Sequence, residues 1–206
     1  MRDNRRSVLR HVAYTYTLML GGFSAFGMVY GTCDIVASLH SHRVPLYFEF
    51  ERELPFVPVM TLAYCSLYAM FLFVPFILRT QREVHAMFCT YAAEVGIAGL
   101  CFLALPVEPT FPPDPETGVF GPLFDAADGL NMTYNLFPSI HVAFAASAAV
   151  ILGNRGGRGI LLGVWAALVC ASTVLVHQHH LADVAGGLVL AFVCIRVVHA
   201  RAIAVQ

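Results

Sequence analysis

Charge is scarce in this chain. Asp, Glu, Lys and Arg make up only 12% of its 206 residues, about half the share of a soluble domain. Lysine is absent altogether, so all twelve cationic side chains are arginines. So little charge excludes a disordered protein, a basic nucleic-acid-binding domain and an ordinary soluble enzyme. There is no Cys-x-x-Cys spacing among the six cysteines, which argues against a zinc site. Five of them (Cys65, Cys89, Cys101, Cys170 and Cys194) lie inside apolar runs, where a free thiol behaves as a small hydrophobe. Cys33 stands at the edge of another, and a disulfide framework is not expected. Nucleotide-binding loops, low-complexity tracts, internal repeats and a separate soluble domain are all missing.

What the chain has instead is apolar length. Hydrophobic residues make up 58% of it, and the mean hydropathy is +0.71. Crossing a bilayer takes about 20 apolar residues at 1.5 Å per residue. Six runs qualify, near Val12–Thr32, Phe56–Leu78, Val84–Leu105, Ser139–Gly153, Gly159–Val176 and Leu181–Ala200. The fourth is short and starts close to the preceding loop. The first is too long for the core of a cleavable signal peptide and reads as a retained span. The expected fold is an all-α, polytopic membrane protein: one domain over residues 1–206, built as a six-helix bundle.

Arginine sets the expected orientation. Arg2, Arg5, Arg6 and Arg10 precede the first run. Arg79 and Arg82 separate the second from the third, Arg155 and Arg158 the fourth from the fifth, and Arg196 and Arg201 close the chain. Six spans put all ten on one side, which the positive-inside rule makes cytoplasmic. Both termini are then cytoplasmic, and only Arg43 and Arg52 face outward. The outer side carries Cys33–Pro55, with an interfacial helix possible around Leu46–Phe50. It also carries a long Pro-, Gly- and Asp-rich segment from Pro106 to Pro138 and the tight turn His177–His180. Loops of that length are usually functional or mobile, so the outer face has room for a site. Small size and short inner loops suggest a bacterial inner membrane.

Two outer clusters carry chemistry. The first is Asn135-Leu136-Phe137-Pro138-Ser139-Ile140-His141, where the fourth span opens. Proline suits a first helical turn, whose free N–H groups attract anions. Ser139 adds a hydroxyl, and His141 stands one turn in. The second is Ser172-Thr173 followed by His177-Gln178-His179-His180-Leu181-Ala182-Asp183. His179 and Asp183 are four apart, so a helix puts them on one face. A carboxylate so placed fixes an imidazole's tautomer and raises its nucleophilicity. The bland readings stand beside this one. His11, His40, His42, His85 and His199 read as interfacial polar caps. His177, His179 and His180 with Asp183 could instead hold a metal. Topology puts both clusters on one side independently of their motifs, and this favours catalysis.

Pro138-Ser139-Ile140-His141 resembles the second signature of the type 2 phosphatidic acid phosphatase (PAP2) superfamily. Ser172-Thr173-x5-His179-x3-Asp183 resembles its third. The forms look closest to the branch of inositol phosphorylceramide synthases and related bacterial proteins, and Leu54-Pro55-Phe56-Val57-Pro58 at the second span is similar too. The resemblance implies a six-span PAP2-type bundle and a phosphohistidine mechanism. His179 would attack phosphorus, Asp183 would orient it, and His141 would protonate the leaving oxygen and then activate water or an alcohol. It implies a lipid phosphate substrate among membrane lipids, with no nucleic acid, no metal and no other cofactor. Oligomeric state is left open. The first phosphatase signature has no counterpart here, and Thr173 stands where that family's third signature usually has Arg. The transferase branch lacks those cations too. Ser139, Thr173, Arg43 and Arg52 are therefore the candidate phosphate-binding residues. The function expected is a lipid-phosphate phosphatase. The alternatives are a headgroup phosphotransferase and a non-catalytic lipid-phosphate binder or scaffold.

Four further features are weaker. Glu94 inside the third run would cost about 2.5–3.5 kcal/mol to insert, so it is either functional or a hydrogen-bonded buried acid. Asp34, Asp125 and Asp128 could touch a headgroup. Gly21-Gly22 and Gly186-Gly187 read as close helix packing. Asn131-Met132-Thr133 would be a glycosylation sequon only in a secretory-pathway host.

Overall fold

The computed structural model describes residues 2–111, 116–153 and 157–204. Arg155 lies outside them. The architecture is all-helical: α1 (Arg2–Ser38), α2 (Met60–Ile77), α3 (Gln81–Ala104), α4 (Gly121–Asn131), α5 (Ile140–Gly153), α6 (Gly159–Leu175) and α7 (Leu181–Cys194). After α7 the helix runs on through a π-helical turn, Ile195–His199, to Ala204. Short 3-10 turns occupy Glu49–Glu53 and Gly118–Phe120. The only extended pairing among the described residues is an isolated bridge between Val44 and Val107.

Among the described residues, four helices are long and apolar enough to cross a membrane: Arg5–Ser38, Met60–Ile77, Gln81–Ala104 and Leu181–Ala204. Ile140–Gly153 and Gly159–Leu175 are apolar but shorter. The shortness of α5 has a physical cause. Its 14 residues rise roughly 21 Å, and the chain ahead of it enters the bundle without helical structure. Non-helical backbone at that depth is tolerated where protein covers it, and Asn135, Leu136 and Ser139 are all buried. Inside the bundle α5 is central, with ten of its fourteen residues buried. Its run of alanines lets α3, α6 and α7 approach closely. Large apolar side chains elsewhere point outward, among them Ile160, Leu161, Phe192 and Leu100. Phe73 and Phe76 share that outer surface, whereas Phe71 belongs to the core.

Local chemistry explains several boundaries. Thr80 caps α3 by accepting the Glu83 N–H at 3.3 Å, and the Glu83 carboxylate accepts the Thr80 N–H in return at 3.2 Å. His11, expected as a polar cap, bonds the Leu78 carbonyl at 2.8 Å. Glu94 is fully buried between α3 and α5 and accepts the Ser147 hydroxyl, which matches the hydrogen-bonded reading of that acid.

Three expectations need correction. The first helix does not stop near Thr32 but continues to Ser38. The segment around Leu46–Phe50 forms no α-helix; a five-residue 3-10 turn, Glu49–Glu53, overlaps its end and directs Glu51 inward. The stretch from Pro106 to Pro138 is not an open loop, because α4 lies within it. Pro122 enters the first turn of α4, and Phe124, Ala127 and Asn131 form its buried stripe. Those residues pack against Tyr64, Val176 and Phe56 at the start of α2 and the α6–α7 turn. Chain alternation puts this turn, α4 and the openings of α2, α5 and α7 at one end of the bundle. Arg79, Arg82 and Arg158 fall at the other.

Candidate active site

The turn from Val176 to His180 is built by the last carbonyls of α6. Ser172 O accepts the Val176 N–H at 2.9 Å, and Thr173 O accepts both the Gln178 and the His179 N–H at 3.0 Å. His177 takes a left-handed φ of +56° to close it. Asp183 then sits at the third position of α7 and caps that helix, its Oδ2 accepting the His180 N–H at 2.8 Å. The same oxygen lies 3.5 Å from His179 Nδ1. The cap therefore fixes the carboxylate, and the carboxylate faces the imidazole one turn away.

His141 arrives from the opening of α5. Ser139 N–H bonds the backbone carbonyl of Asp183 at 3.0 Å, which pins that opening to α7. The seam is close: a Cβ on Gly187 would stand 2.5 Å from Ser139 O, and one on Gly186 2.6 Å from the Phe137 ring. The packing reading of these two glycines holds. His141 stacks on Tyr64 with centroids 4.2 Å apart, and its Nδ1 lies 3.2 Å from the Tyr64 hydroxyl. His141 and His179 are near enough to act on each other electrostatically.

All three chemical residues are buried: His141 is 9%, His179 5% and Asp183 0% exposed. Even so, His141 Nε2, His179 Nδ1 and Asp183 Oδ1 have no hydrogen-bond partner among the described residues. Unsatisfied buried polar atoms are costly and rare. Here three of them lie on residues at the openings of α5 and α7.

The candidate phosphate ligands are placed differently. Ser139 is fully buried and its hydroxyl accepts the Val142 N–H at 3.4 Å. With its own N–H bound to Asp183, Ser139 has only its hydroxyl proton left to donate. Thr173 turns its hydroxyl back to Cys170 O at 2.8 Å, so it reaches His179 through its carbonyl rather than its side chain. Arg43 lies 3.8 Å over the Tyr134 ring and donates to Ala37 O and Ser38 O at the end of α1. Its Nη1 is buried without a partner among the described residues. Arg52 pairs with Glu49 at 3.5 Å on the surface.

The other histidines of the turn are engaged. His180 Nδ1 lies 2.6 Å from buried Glu51, which also accepts the Leu181 N–H at 3.2 Å. His180 Nε2 meets the Thr110 hydroxyl at 2.8 Å. His177 Nε2 donates to Leu54 O at 3.0 Å, and burial lowers its pKa from the usual 6.5. Phe111 is sandwiched between these two rings, 4.4 Å from His177 and 4.2 Å from His180. No group of three or more metal-ligating side chains converges among the described residues.

Residues 107–203 match the family model of the PAP2 superfamily. The PAP2 match takes in α4 to α7 and every residue of the trio, and leaves α1 to α3 outside it. It supports a phosphatase- or phosphotransferase-type activity in general, and together with the apolar helices it suggests an integral membrane protein. Comparison with curated proteins and with solved structures gives no match.

Sequence reasoning missed Tyr64, Glu51, Thr110 and the true place of Asn131. Asn131 is no surface acceptor for sugar: it is 8% exposed and hydrogen-bonded through both its amide oxygen and its amide nitrogen. The one available signal for Glu51 was an acid flanked by Phe48 and Phe50. Nothing local marks Tyr64 among the other aromatics of α2. Beside the trio lies a cavity of about 670 Å³. Its lining includes His177, Gln178 and His180, the neighbours of His179, but not the trio itself. Asp34, Thr110 and Asp128 line it as well.

Proposed function

We propose that the chain is a membrane lipid-phosphate phosphatase working through a phosphohistidine. The observation that carries this reading is the convergence of three buried, unpartnered polar atoms on His141, His179 and Asp183. In the reaction, His179 Nε2 attacks phosphorus while Nδ1–H faces Asp183, whose charge offsets the cation forming on the ring. The bond from phosphorus to the lipid oxygen breaks, and His141 Nε2 delivers its proton to that oxygen. His141 then takes a proton from water as the water displaces His179, which returns the enzyme to its starting state and releases phosphate. The transferring group spreads charge over three oxygens. The Ser139 hydroxyl and Arg43 Nη1 are the donors assigned to it; Arg52, engaged with Glu49, is the weaker candidate.

The same reading takes α5 and α6 as spans, giving six in all, with both termini in the cytoplasm and the site on the outer face of a bacterial inner membrane. The arginines of the α2–α3 and α5–α6 connections support that sidedness.

A second reading has its own support. The adjoining cavity is large enough for a polar headgroup, and its carboxylates, hydroxyls and amide suit an alcohol acceptor better than water alone requires. On that reading the enzyme is a headgroup phosphotransferase of the inositol phosphorylceramide synthase type. A binder or scaffold would gain nothing from leaving three buried polar atoms unsatisfied.

The test is phosphate release from lipid mono- and diphosphates by detergent-purified protein, beside folded His179→Ala, with and without a lipid alcohol. Release without acceptor that disappears in the variant supports the phosphatase. A new phospholipid formed only with acceptor supports the transferase. Silence from folded wild type in both arms rejects catalysis on these lipids. Arg43→Ala and Arg52→Ala in the same assay separate the two cations: the first raises KM or lowers kcat, and the second changes neither.

A further inference from the structure

His141 has a neighbourhood that its proposed role does not by itself require. Its Nδ1 is 3.2 Å from the Tyr64 hydroxyl. That hydroxyl donates to Asn131 Oδ1 at 2.7 Å. Asn131 Nδ2 donates to Gln178 Oε1 at 2.8 Å, and Gln178 Nε2 donates to Asp128 Oδ1 at 2.9 Å. Four helical or turn elements therefore contribute to one line of hydrogen bonds, from the cavity wall to the buried imidazole. Tyr64 is 1% and Asn131 8% exposed.

The line has a direction, and a carboxylate sets it. An ionised Asp128 can only accept, so Gln178 must present its amide nitrogen. The Gln178 carbonyl then faces Asn131 and takes its nitrogen, which turns the Asn131 carbonyl toward Tyr64. Tyr64 has one proton and spends it there. At His141 the tyrosine oxygen can act only as an acceptor, so Nδ1 must carry a proton. The free lone pair of neutral His141 is thereby confined to Nε2, the atom left without a partner.

We propose that Tyr64, Asn131 and Gln178 are positioning residues that lock His141 in the Nδ1–H form, so that proton exchange with substrate occurs at Nε2 alone. This rests on the reading of His141 as acid and base. Both of its protonation states keep Nδ1–H on Tyr64, so turnover changes only Nε2. The line is not a proton path, because an amide nitrogen cannot pass a proton onward without changing tautomer. Its work is orientation: without Tyr64 the buried Nδ1–H loses its acceptor, and the opposite tautomer, useless as a base at Nε2, becomes competitive.

The test compares two phosphate monoesters in detergent, dodecyl phosphate and 4-nitrophenyl phosphate. The dodecyl alkoxide needs a proton to leave and nitrophenolate does not. First-turnover release of each alcohol is followed by rapid quench in wild type, Tyr64→Phe, Gln178→Glu and the double variant. Tyr64→Phe keeps the ring stacked on His141, so folding is spared. General acid catalysis is worth about 10²–10⁴-fold, and losing the acceptor of Nδ1–H, which supports both the imidazolium and the neutral form left when Nε2 gives up its proton, forfeits part of that. Dodecanol release is expected to fall by about 30-fold and nitrophenolate release by less than about threefold. Gln178→Glu moves the same way, and the double variant is no worse than Tyr64→Phe alone, as for residues acting in series. Equal losses on both esters, no loss on either, or additive losses in the double variant overturn the relay while leaving the phosphatase reading intact. Wild type that releases neither alcohol overturns the phosphatase reading, and the relay's role goes with it.

Discussion

Replacing Gly187 by alanine inserts one methyl group into the tightest seam of the site. The new carbon would stand 2.5 Å from Ser139 O and 2.9 Å from Val142 Cβ. Ordinary contact begins near 3.4 Å, so α7 and the opening of α5 must part by nearly 1 Å. Neither obstacle is the loose end of a flexible side chain, and the backbone has to move. Overpacking of this kind costs about 1–3 kcal/mol. For a chain of this size that lowers Tm by about 2–4 °C per kcal/mol. The larger effect falls on activity, because the hydrogen bond from Ser139 N–H to Asp183 O lies in the same seam. Parting the two helices separates His141 from His179 and Asp183, and misplacement by 1 Å costs roughly 100-fold in rate. Gly186→Ala is the control. Its carbon meets the Phe137 ring at 2.6 Å and Pro138 Cβ at 3.1 Å, and the ring can swing, so the expected loss of rate is smaller. The assay is phosphate release beside thermal unfolding in the same detergent. If Gly187→Ala keeps full turnover and an unchanged Tm, the seam does not hold the site together and the reasoning fails.

Three other outcomes follow from the same geometry. Asp183→Asn keeps an oxygen to cap α7, so unfolding should shift by about 1 kcal/mol or less, while turnover drops roughly 10³–10⁴-fold through loss of the carboxylate that orients His179; a loss under tenfold would remove Asp183 from the mechanism. Glu51→Ala strips His180 Nδ1 and the Leu181 N–H of their shared acceptor and should destabilise the fold on the order of 3 kcal/mol, read by thermal unfolding. His177 has its pKa lowered by burial, so the fold favours its neutral form. Its contribution to stability is fully present above the unfolded value near 6.5, and it fades as pH falls through the folded pKa. Tm should decline on going from pH 8 to 5, and His177→Phe, which can keep the stack on Phe111, should flatten that part of the decline.

The pairing of His179 with Asp183 and the helix start before His141 were legible because that information is local. His179 and Asp183 lie four residues apart on one helical turn, and His141 stands in a seven-residue segment whose proline and serine announce a helix start. What holds the trio was not legible, because its partners are distant along the chain. Tyr64 is 77 positions from His141, and Glu51 is 129 from His180. Periodicity reports which face of a helix is apolar, not which tyrosine of α2 meets which imidazole of α5. Helix α4 was hidden for another reason. Glycine, proline and aspartate dominate its neighbourhood and read as loop, although Phe124, Ala127 and Asn131 already carried a helical stripe. Apolar length also misjudged α1, since the helix outlasts its hydrophobic run and continues through Asp34 to Ser38.

The site lies where α5 begins, α6 ends and α7 begins, at the rim of the apolar bundle rather than in its middle or above it. A phospholipid resting in its own leaflet already holds its phosphorus near such a rim, with its chains beside the helices. On the proposed reading, an enzyme built this way meets its substrate by lateral diffusion. Lifting an acyl chain into water costs about 0.8 kcal/mol for each methylene, and that work never arises. Specificity for chain length is then free to be slight, and discrimination falls to whatever fits the polar cavity above.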